Sequence, residues 1–153
     1  MDNFYRENIL DHYRNPKNFG RIENPDVASE EVNSLCGDKI GMQIKFKSQS
    51  CHGGTQVKSI EEIGFYGEGC AISTASASML TEKVKGMEIG NVKKLDAKDI
   101  LKMLGIELTP TRLKCALLPL EVLHKAITSK PSLPQGQSCC PLGMSKVLLV
   151  NNG

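Results

Sequence analysis

The chain has 153 residues, of which 40% are hydrophobic and 24% are charged, as is typical of one globular domain. Its net charge of +2 favours neither nucleic acid nor an anionic membrane as a partner, and its 5% of aromatic residues without tryptophan disfavours a base-stacking surface. No apolar run approaches the roughly 20 residues that span a bilayer, and the start of the chain does not resemble a signal peptide. We therefore expect a cytoplasmic protein whose six cysteines stay reduced and serve as ligands, nucleophiles or core residues.

The first half of the chain predicts a helix followed by antiparallel strands. Apolar residues recur at helical spacing before Asn15-Pro16, and apolar and polar residues alternate between Ile40 and Phe46. A slip in the next alternation indicates a bulge near Glu61-Glu62. The predicted elements are a helix over 3–14, a loop over 15–26, an edge strand over 27–33, a strand that opens at 36–38, a hairpin loop over 48–55 and a strand over 56–66.

The second half predicts helices. Small residues dominate the first, which Gly86 ends, and Asp96 and Gly105 bound the second. Thr109 is the expected N-cap of the third, and Pro119 interrupts its hydrogen bonding and favours a kink. The predicted helices cover 71–85, 97–104 and 110–129, the last with an apolar stripe of Leu113, Leu117, Leu120, Leu123 and Ile127.

This order predicts an α+β domain in which a small antiparallel three-stranded sheet carries its helices on one face. We expect this domain over 1–129 and a C-terminal tail over 130–153. The segment 146–150 in that tail is apolar enough to form a short strand or a docked end.

Three cysteines in loop-like or helix-start settings suggest one metal site. They are Cys36, in Cys36-Gly37-Asp38, then Cys70 and Cys115. Three thiolates and one carboxylate suit zinc or an iron–sulfur cluster. The spacings of 34 and 45 residues match no zinc-finger pattern. An alternative therefore stays open at this point, in which Cys70 and Cys115 are small buried hydrophobic residues and Asp38 is a turn residue.

Several segments together resemble the iron–sulfur cluster assembly scaffolds known as IscU, SufU or the N-terminal part of NifU. The matching segments are 5–20, Cys36-Gly37-Asp38, Gly69-Cys70-Ala71-Ile72-Ser73 with the following Ala75-Ser76-Ala77-Ser78, Lys85-Gly86, and Arg112-Leu113-Lys114-Cys115-Ala116. The resemblance covers about 4–128 with its motifs in order. It implies a SufE/NifU-like fold and a shared metal site.

The resemblance also implies a function. Family members accept sulfur from a cysteine desulfurase, assemble a transient [2Fe–2S] cluster or bind Zn²⁺, and pass cluster or sulfur to apo-proteins. Carried over, the metal ligands are Cys36, Asp38, Cys70 and Cys115. Cys115 is the first candidate for the persulfide acceptor, and Cys36 is the second because SufU-type members are described with the first cysteine in that role.

Two features place the chain between subtypes. Lys114 stands where IscU-type members have histidine, which resembles the SufU type and makes Lys114 a candidate auxiliary residue. The 45-residue gap between Cys70 and Cys115 is short, as in IscU. The segment 108–112 also departs from the Leu-Pro-Pro-Val-Lys motif that binds the dedicated chaperone of IscU-type members, so that partner is not carried over.

Other chemistry-bearing residues have structural interpretations. We expect no metal role for Cys51-His52 or for Cys139-Cys140, and structural or half-buried positions for His12 and His124. Tyr5 resembles a family position that mediates self-association, so a homo-oligomer and plain core packing are both open for it.

Three hypotheses of different classes follow. The first is a scaffold for a transient [2Fe–2S] cluster, which the short gap favours. The second is a zinc-dependent sulfurtransferase that relays persulfide sulfur, which Lys114 favours. The third is a zinc-stabilised interaction domain without sulfur chemistry, which an exchangeable Asp38 ligand disfavours.

Overall fold

The structure, a computed structural model, describes residues 2–50 and 56–129. In chain order its elements are α1 (Asp2–Arg14), β1 (Val27–Asn33), β2 (Asp38–Ser50), β3 (Gln56–Glu68), α2 (Ala71–Val84), α3 (Ile89–Val92), α4 (Ala97–Leu104) and α5 (Pro110–Thr128). Within these ranges no helix has the length and apolar character that a membrane crossing requires. The predicted tail over 130–153, its segment 146–150 and the loop residues 51–55 lie outside the described residues.

The sheet is antiparallel with strand order β1-β2-β3, as predicted. Lys45 pairs with Glu62 while Phe46 pairs with Ile60, so Glu61 is the extra residue of a bulge. The predicted bulge is therefore confirmed. The hairpin loop predicted over 48–55 was wrong at 48–50. These residues continue β2, because their partners on β3 extend the ladder to the pair Ser50 and Gln56.

The helices gather on one face of the sheet, which confirms the predicted fold class. Helix α5 packs against β1 and β2, α2 packs against β3, and α1 covers α2. The run of small residues in α2 allows this close packing, since Ala75 and Ala77 are fully buried. The Ser76 hydroxyl donates to the Ala116 carbonyl at 2.7 Å and joins α2 to α5. Both helices therefore hold fixed positions relative to the sheet end.

Helix α5 is more central than its sequence pattern predicts. Leu120 and Leu123 are buried as expected, whereas Leu113, Leu117 and Ile127 are only half-buried. The buried positions are Cys115, Ala116, Leu118, Pro119, Leu120, Val122, Leu123 and Ala126. Leu117 and Ile127 still pack against the core, so the predicted stripe was wrong only at Leu113. Further residues of α5 are buried because the helix contacts α2, α4, β1 and β2 from several sides, which no single stripe describes.

Two helix boundaries show the limits of local signals. Asp96 and Asp99 form a reciprocal capping box at the start of α4. Thr109 occupies the N-cap of α5 with Pro110 as the first helical residue, but its side chain makes no capping hydrogen bond.

Helix α3 was not predicted, since its Gly90 and Asn91 give no helical signal. Its residue Val92 is fully buried in the hydrophobic core.

The N-terminal helix is fastened to α2 by side chains. His12 Nδ1 lies 2.8 Å from Ser78 Oγ, which also accepts from the Lys17 amide at 2.7 Å. The structural role expected for His12 is confirmed by this contact. Tyr5 is half-buried, and its ring packs against Gly105. This contact agrees with core packing, one of the two roles left open for Tyr5.

Gly67 fixes the end of β3 just before Cys70. Its φ is +129°, and a Cβ there would overlap the Lys39 carbonyl oxygen on β2. We expect Gly67→Ala to lower the free energy of unfolding by roughly 2–6 kcal/mol, because backbone strain and steric overlap add. Urea denaturation measures this. Gly90→Ala is the matched control, because the methyl group that it adds would meet no atom within 4 Å; equal stability of the two variants would contradict the prediction.

Candidate metal centre

The first candidate ligand, Cys36, lies in the turn between β1 and β2. Asn33 and Asp38 pair at the base of this turn, and the Gly37 amide donates to the Asn33 carbonyl at 2.8 Å. Gly37 has φ +72°, a conformation that glycine adopts without a steric penalty. The turn leaves Cys36 exposed. The strand expected to open at Cys36 begins at Asp38 instead, since the turn takes up the two preceding residues.

The carboxylate of Asp38 is buried at the first residue of β2, with 5% exposure. Its Oδ1 accepts from the Cys70 amide at 3.1 Å. Its Oδ2 is buried and has no hydrogen-bond partner among the described residues. Because a buried carboxylate oxygen without a partner is costly, this atom is suited to binding a cation.

Cys70 follows β3 directly and is the N-cap of α2. Its Sγ accepts from the Ser73 amide at 3.5 Å, and the residue is exposed. The Cys70 backbone is bonded to Asp38 through the hydrogen bond described above, so Cys70 adjoins the other candidate ligands.

Cys115 lies in the second turn of α5 and is only 3% exposed. Its Sγ is 2.8 Å from Cys36 Sγ and 3.7 Å from the Thr111 carbonyl. Burial raises the pKa of the Cys115 thiol well above its ordinary value, and the contact with Cys36 and the nearby negative charges of Cys70 and Asp38 act in the same direction. A bound cation would reverse this effect, because it favours the deprotonated thiol.

Three of the four predicted ligands converge at one end of the sheet. The ligand atoms of Cys36, Asp38 and Cys115 all lie within 4.8 Å of one another. Cys70 is outside that group, since its Sγ caps its own helix. Two thiols and a partly unpartnered buried carboxylate form a donor set that fits zinc or an iron–sulfur cluster.

The remaining predicted residues are placed as follows. Lys114 is exposed and lines a cleft of about 300 Å³ with Asn33 and Leu35, beside the metal centre. His124 is half-buried, as expected, and lies 3.3 Å from the Val92 carbonyl. Cys51-His52 and Cys139-Cys140 are outside the described ranges. Sequence reasoning missed Asn33, although an asparagine just before a glycine-containing turn is a known turn signal.

Thiol reactivity should separate these cysteines in the metal-free protein. At about pH 8, where an ordinary thiol is partly ionised, we expect Cys36 and Cys70 to react with iodoacetamide well before Cys115. Burial limits access to Cys115, and its raised pKa leaves less thiolate at any pH below that pKa. Peptide mapping after brief labelling measures the order. Urea-unfolded protein is the control, in which the difference should vanish; equally fast labelling of Cys115 in the folded protein would contradict the assignment.

The protein is an α+β domain with a Cys/Asp/Cys group at one sheet end whose ligand atoms lie close enough together to hold a metal ion. The sequence model of the NifU-like N-terminal domain matches residues 4–133. The chain is 32% identical over 147 residues to the zinc-dependent sulfurtransferase SufU of Bacillus subtilis (strain 168), covering 85% of this chain and 93% of that protein. It is 38% identical over 123 residues to the iron–sulfur cluster assembly scaffold protein IscU of Aquifex aeolicus (strain VF5), covering 80% and 73%. The chain therefore belongs to the NifU-like N-terminal domain family, which includes the IscU and SufU scaffolds.

Solved structures agree with this fold. A SUF-system protein from Fervidobacterium islandicum AW-1, described as an iron–sulfur cluster assembly scaffold, superposes with a TM-score of 0.61 at 27% identity, covering 79% of this chain and 94% of that chain. The N-terminal part of a NifU-like protein from Brucella abortus superposes with a TM-score of 0.62 at 19% identity over 83% of this chain and 94% of that chain, and supports the fold alone.

Proposed function

We propose that this protein accepts sulfur from a cysteine desulfurase in the cytosol, builds a transient [2Fe–2S] cluster and transfers it to apo-proteins. Cys36, Asp38, Cys70 and Cys115 hold the cluster, which is cargo of the protein. When bound, the metal supplies the positive charge that a group of thiolates and a buried carboxylate requires.

The observation that supports this proposal is that the ligand atoms of Cys36, Asp38 and Cys115 lie close together. Among the described residues, one buried oxygen of Asp38 has no hydrogen-bond partner. Structural zinc sites are almost always built from four cysteine or histidine ligands, whereas this group includes the carboxylate of Asp38. A carboxylate dissociates more readily from a soft metal site than thiolate does. Asp38 therefore suits a site that must release its occupant.

Cys36 and Cys115 have different roles in sulfur acceptance: Cys36 takes the sulfur from the partner protein, and Cys115 can receive it afterwards. Transfer begins when an acceptor thiolate attacks the outer sulfur of the desulfurase persulfide, and the desulfurase thiolate leaves. The acceptor must meet a partner protein, and Cys36 is exposed on its turn whereas Cys115 is buried. This exposure favours Cys36 as first acceptor, with Cys115 able to receive sulfur across the 2.8 Å that separates the two Sγ atoms.

A second candidate function is zinc-dependent sulfur transfer, in which the protein relays persulfide sulfur without building a cluster. The specific observation in its favour is Lys114 beside the centre, in the position that precedes the third cysteine. The SufU relative of Bacillus subtilis is named for that activity. In this function Cys36 is the acceptor, and the other candidate ligands hold Zn²⁺.

Metal content and absorption distinguish these functions. Protein purified without oxygen is incubated with ferrous iron, a desulfurase and excess cysteine, which is both the sulfur source and the thiol reductant that converts persulfide sulfur to sulfide. It should become red-brown and contain two irons and two sulfides per cluster, as [2Fe–2S] requires. Colourless protein that retains one zinc and still carries persulfide would support sulfur transfer instead. Retained zinc without persulfide would overturn both and leave an interaction domain.

Sulfur loading should depend on the cysteines of the metal centre. After incubation with desulfurase and cysteine, we expect mass spectrometry to show persulfide on the parent protein and a loss of most of it in Cys36→Ser, because the exposed thiolate is the acceptor. The double variant Cys139→Ser with Cys140→Ser is the matched control and should load normally. Normal loading of Cys36→Ser together with failure of the double variant would assign the chemistry to the wrong thiols.

A further inference from the structure

Asn33, the last residue of β1, places its side-chain amide beside the two cysteine sulfurs that lie closest together at the candidate metal centre. Its Nδ2 is 3.7 Å from Cys36 Sγ and 3.8 Å from Cys115 Sγ. One amide group has two N–H donors, so a single side chain can serve both sulfurs. The contact with Cys115 is partly buried, whereas the contact with Cys36 is exposed to water.

The hydrogen bond that the Asn33 side-chain oxygen accepts determines which way the side-chain amide points. Asn33 Oδ1 accepts from the Leu35 amide at 3.1 Å. A flipped amide would point its own N–H groups at that donor and would leave both sulfurs facing an oxygen. The turn therefore aims the NH₂ group at Cys36 and Cys115.

The backbone of Asn33 also contacts the segments that present the candidate ligands. Its carbonyl accepts from the Gly37 amide at 2.8 Å, and the residue pairs across the ladder with Asp38. One residue thus contacts the turn that presents Cys36, the strand start that presents Asp38, and the sulfur of Cys115 on α5. Lys114, by contrast, makes no hydrogen bond to either sulfur among the described residues.

We infer that Asn33 is a positioning residue that donates N–H hydrogen bonds to the Cys36 and Cys115 thiolates and sets their spacing and donor strength when metal is bound. The inference rests on the proposed function only in that these two thiolates are ligands. A hydrogen bond to a ligating thiolate lowers the energy of its lone pairs and holds the sulfur in one orientation.

Cobalt substitution tests the inference without any activity assay. Asn33→Asp keeps an oxygen that accepts from the Leu35 amide but removes both donors, whereas Asn33→Ala removes both functions. We expect the thiolate-to-cobalt charge-transfer bands of both variants to move to longer wavelength, because sulfur without a hydrogen bond donates charge more easily. Chelator competition should show zinc affinity of Asn33→Ala reduced by roughly 10–100-fold, the range for loss of an outer-shell partner.

The controls separate positioning from turn stability. Ser34→Ala lies in the same turn, where Ser34 is exposed, and should keep the bands and zinc affinity of the parent. Parent-like bands in Asn33→Asp would overturn the inference, since the turn acceptor alone would then suffice. If the parent itself shows no thiolate-to-cobalt bands, the proposed metal site fails, and the inference fails with it for that separate reason.

Discussion

Cys70→Ser is expected to fold like the parent protein and to retain metal poorly. Serine is among the best N-cap residues, so its hydroxyl can replace the Sγ that accepts from the Ser73 amide. The thiolate, however, is lost. If Cys70 is the fourth ligand, zinc affinity should fall by at least about 100-fold, beyond the roughly 10–100-fold that loss of an outer-shell partner costs.

Thermal melting of the metal-free protein and chelator competition measure these two effects separately. The double variant Cys139→Ser with Cys140→Ser makes the same substitution elsewhere and should leave zinc affinity unchanged. Parent-like affinity in Cys70→Ser would restrict the ligands to Cys36, Asp38 and Cys115, the three whose ligand atoms already lie within 4.8 Å. It would leave Cys70 as a helix cap.

Asp38→Ala is expected to hold an assembled cluster longer and to slow its transfer to an apo-ferredoxin. The variant removes the one oxygen ligand and leaves three thiolates, which dissociate less readily. We expect transfer slowed by about tenfold, which corresponds to about 1.4 kcal/mol in the barrier. The rise of ferredoxin absorbance under anaerobic conditions gives the rate.

Asp26→Ala is the matched control for this variant. Asp26 also accepts one backbone hydrogen bond, from the Phe46 amide at 2.6 Å, but is exposed and is not a predicted ligand. It should transfer its cluster at the parent rate. Faster release from Asp38→Ala than from the parent would mean that the carboxylate holds the cluster, and the exchange role of Asp38 would be wrong.

Local signals were sufficient where one chemical feature decides the structure. Alternating residues after Asp38 produced β2, and the slip near Glu61 is a bulge. Asp96 caps α4 as predicted because a carboxylate and the free amides of a helix start are neighbours in sequence. The cap joins residues three positions apart, and the alternation and its slip are each visible within a single strand, so the local sequence contains the signal.

Local signals failed where the partner is distant. The ladder with β3 extended β2 through 48–50, and contacts from several elements buried residues of α5 outside its predicted stripe. Helix α3 depends on the burial of Val92. None of these partners lies within the short stretch of sequence over which a periodic pattern of apolar residues can be recognised.

The sequence by itself determined the α+β class, the three cysteines and Asp38 as candidate ligands, and the family to which the chain belongs, because motif types and their order are linear properties. Only the tertiary structure decided which of those ligands meet. It brought Cys36, Asp38 and Cys115 together, placed Cys70 as a helix cap beside them, and aimed Asn33 at two sulfurs. The physical reason is that β1, β2 and α5 converge at one sheet end, where burial and charge depend on residues up to 82 positions apart.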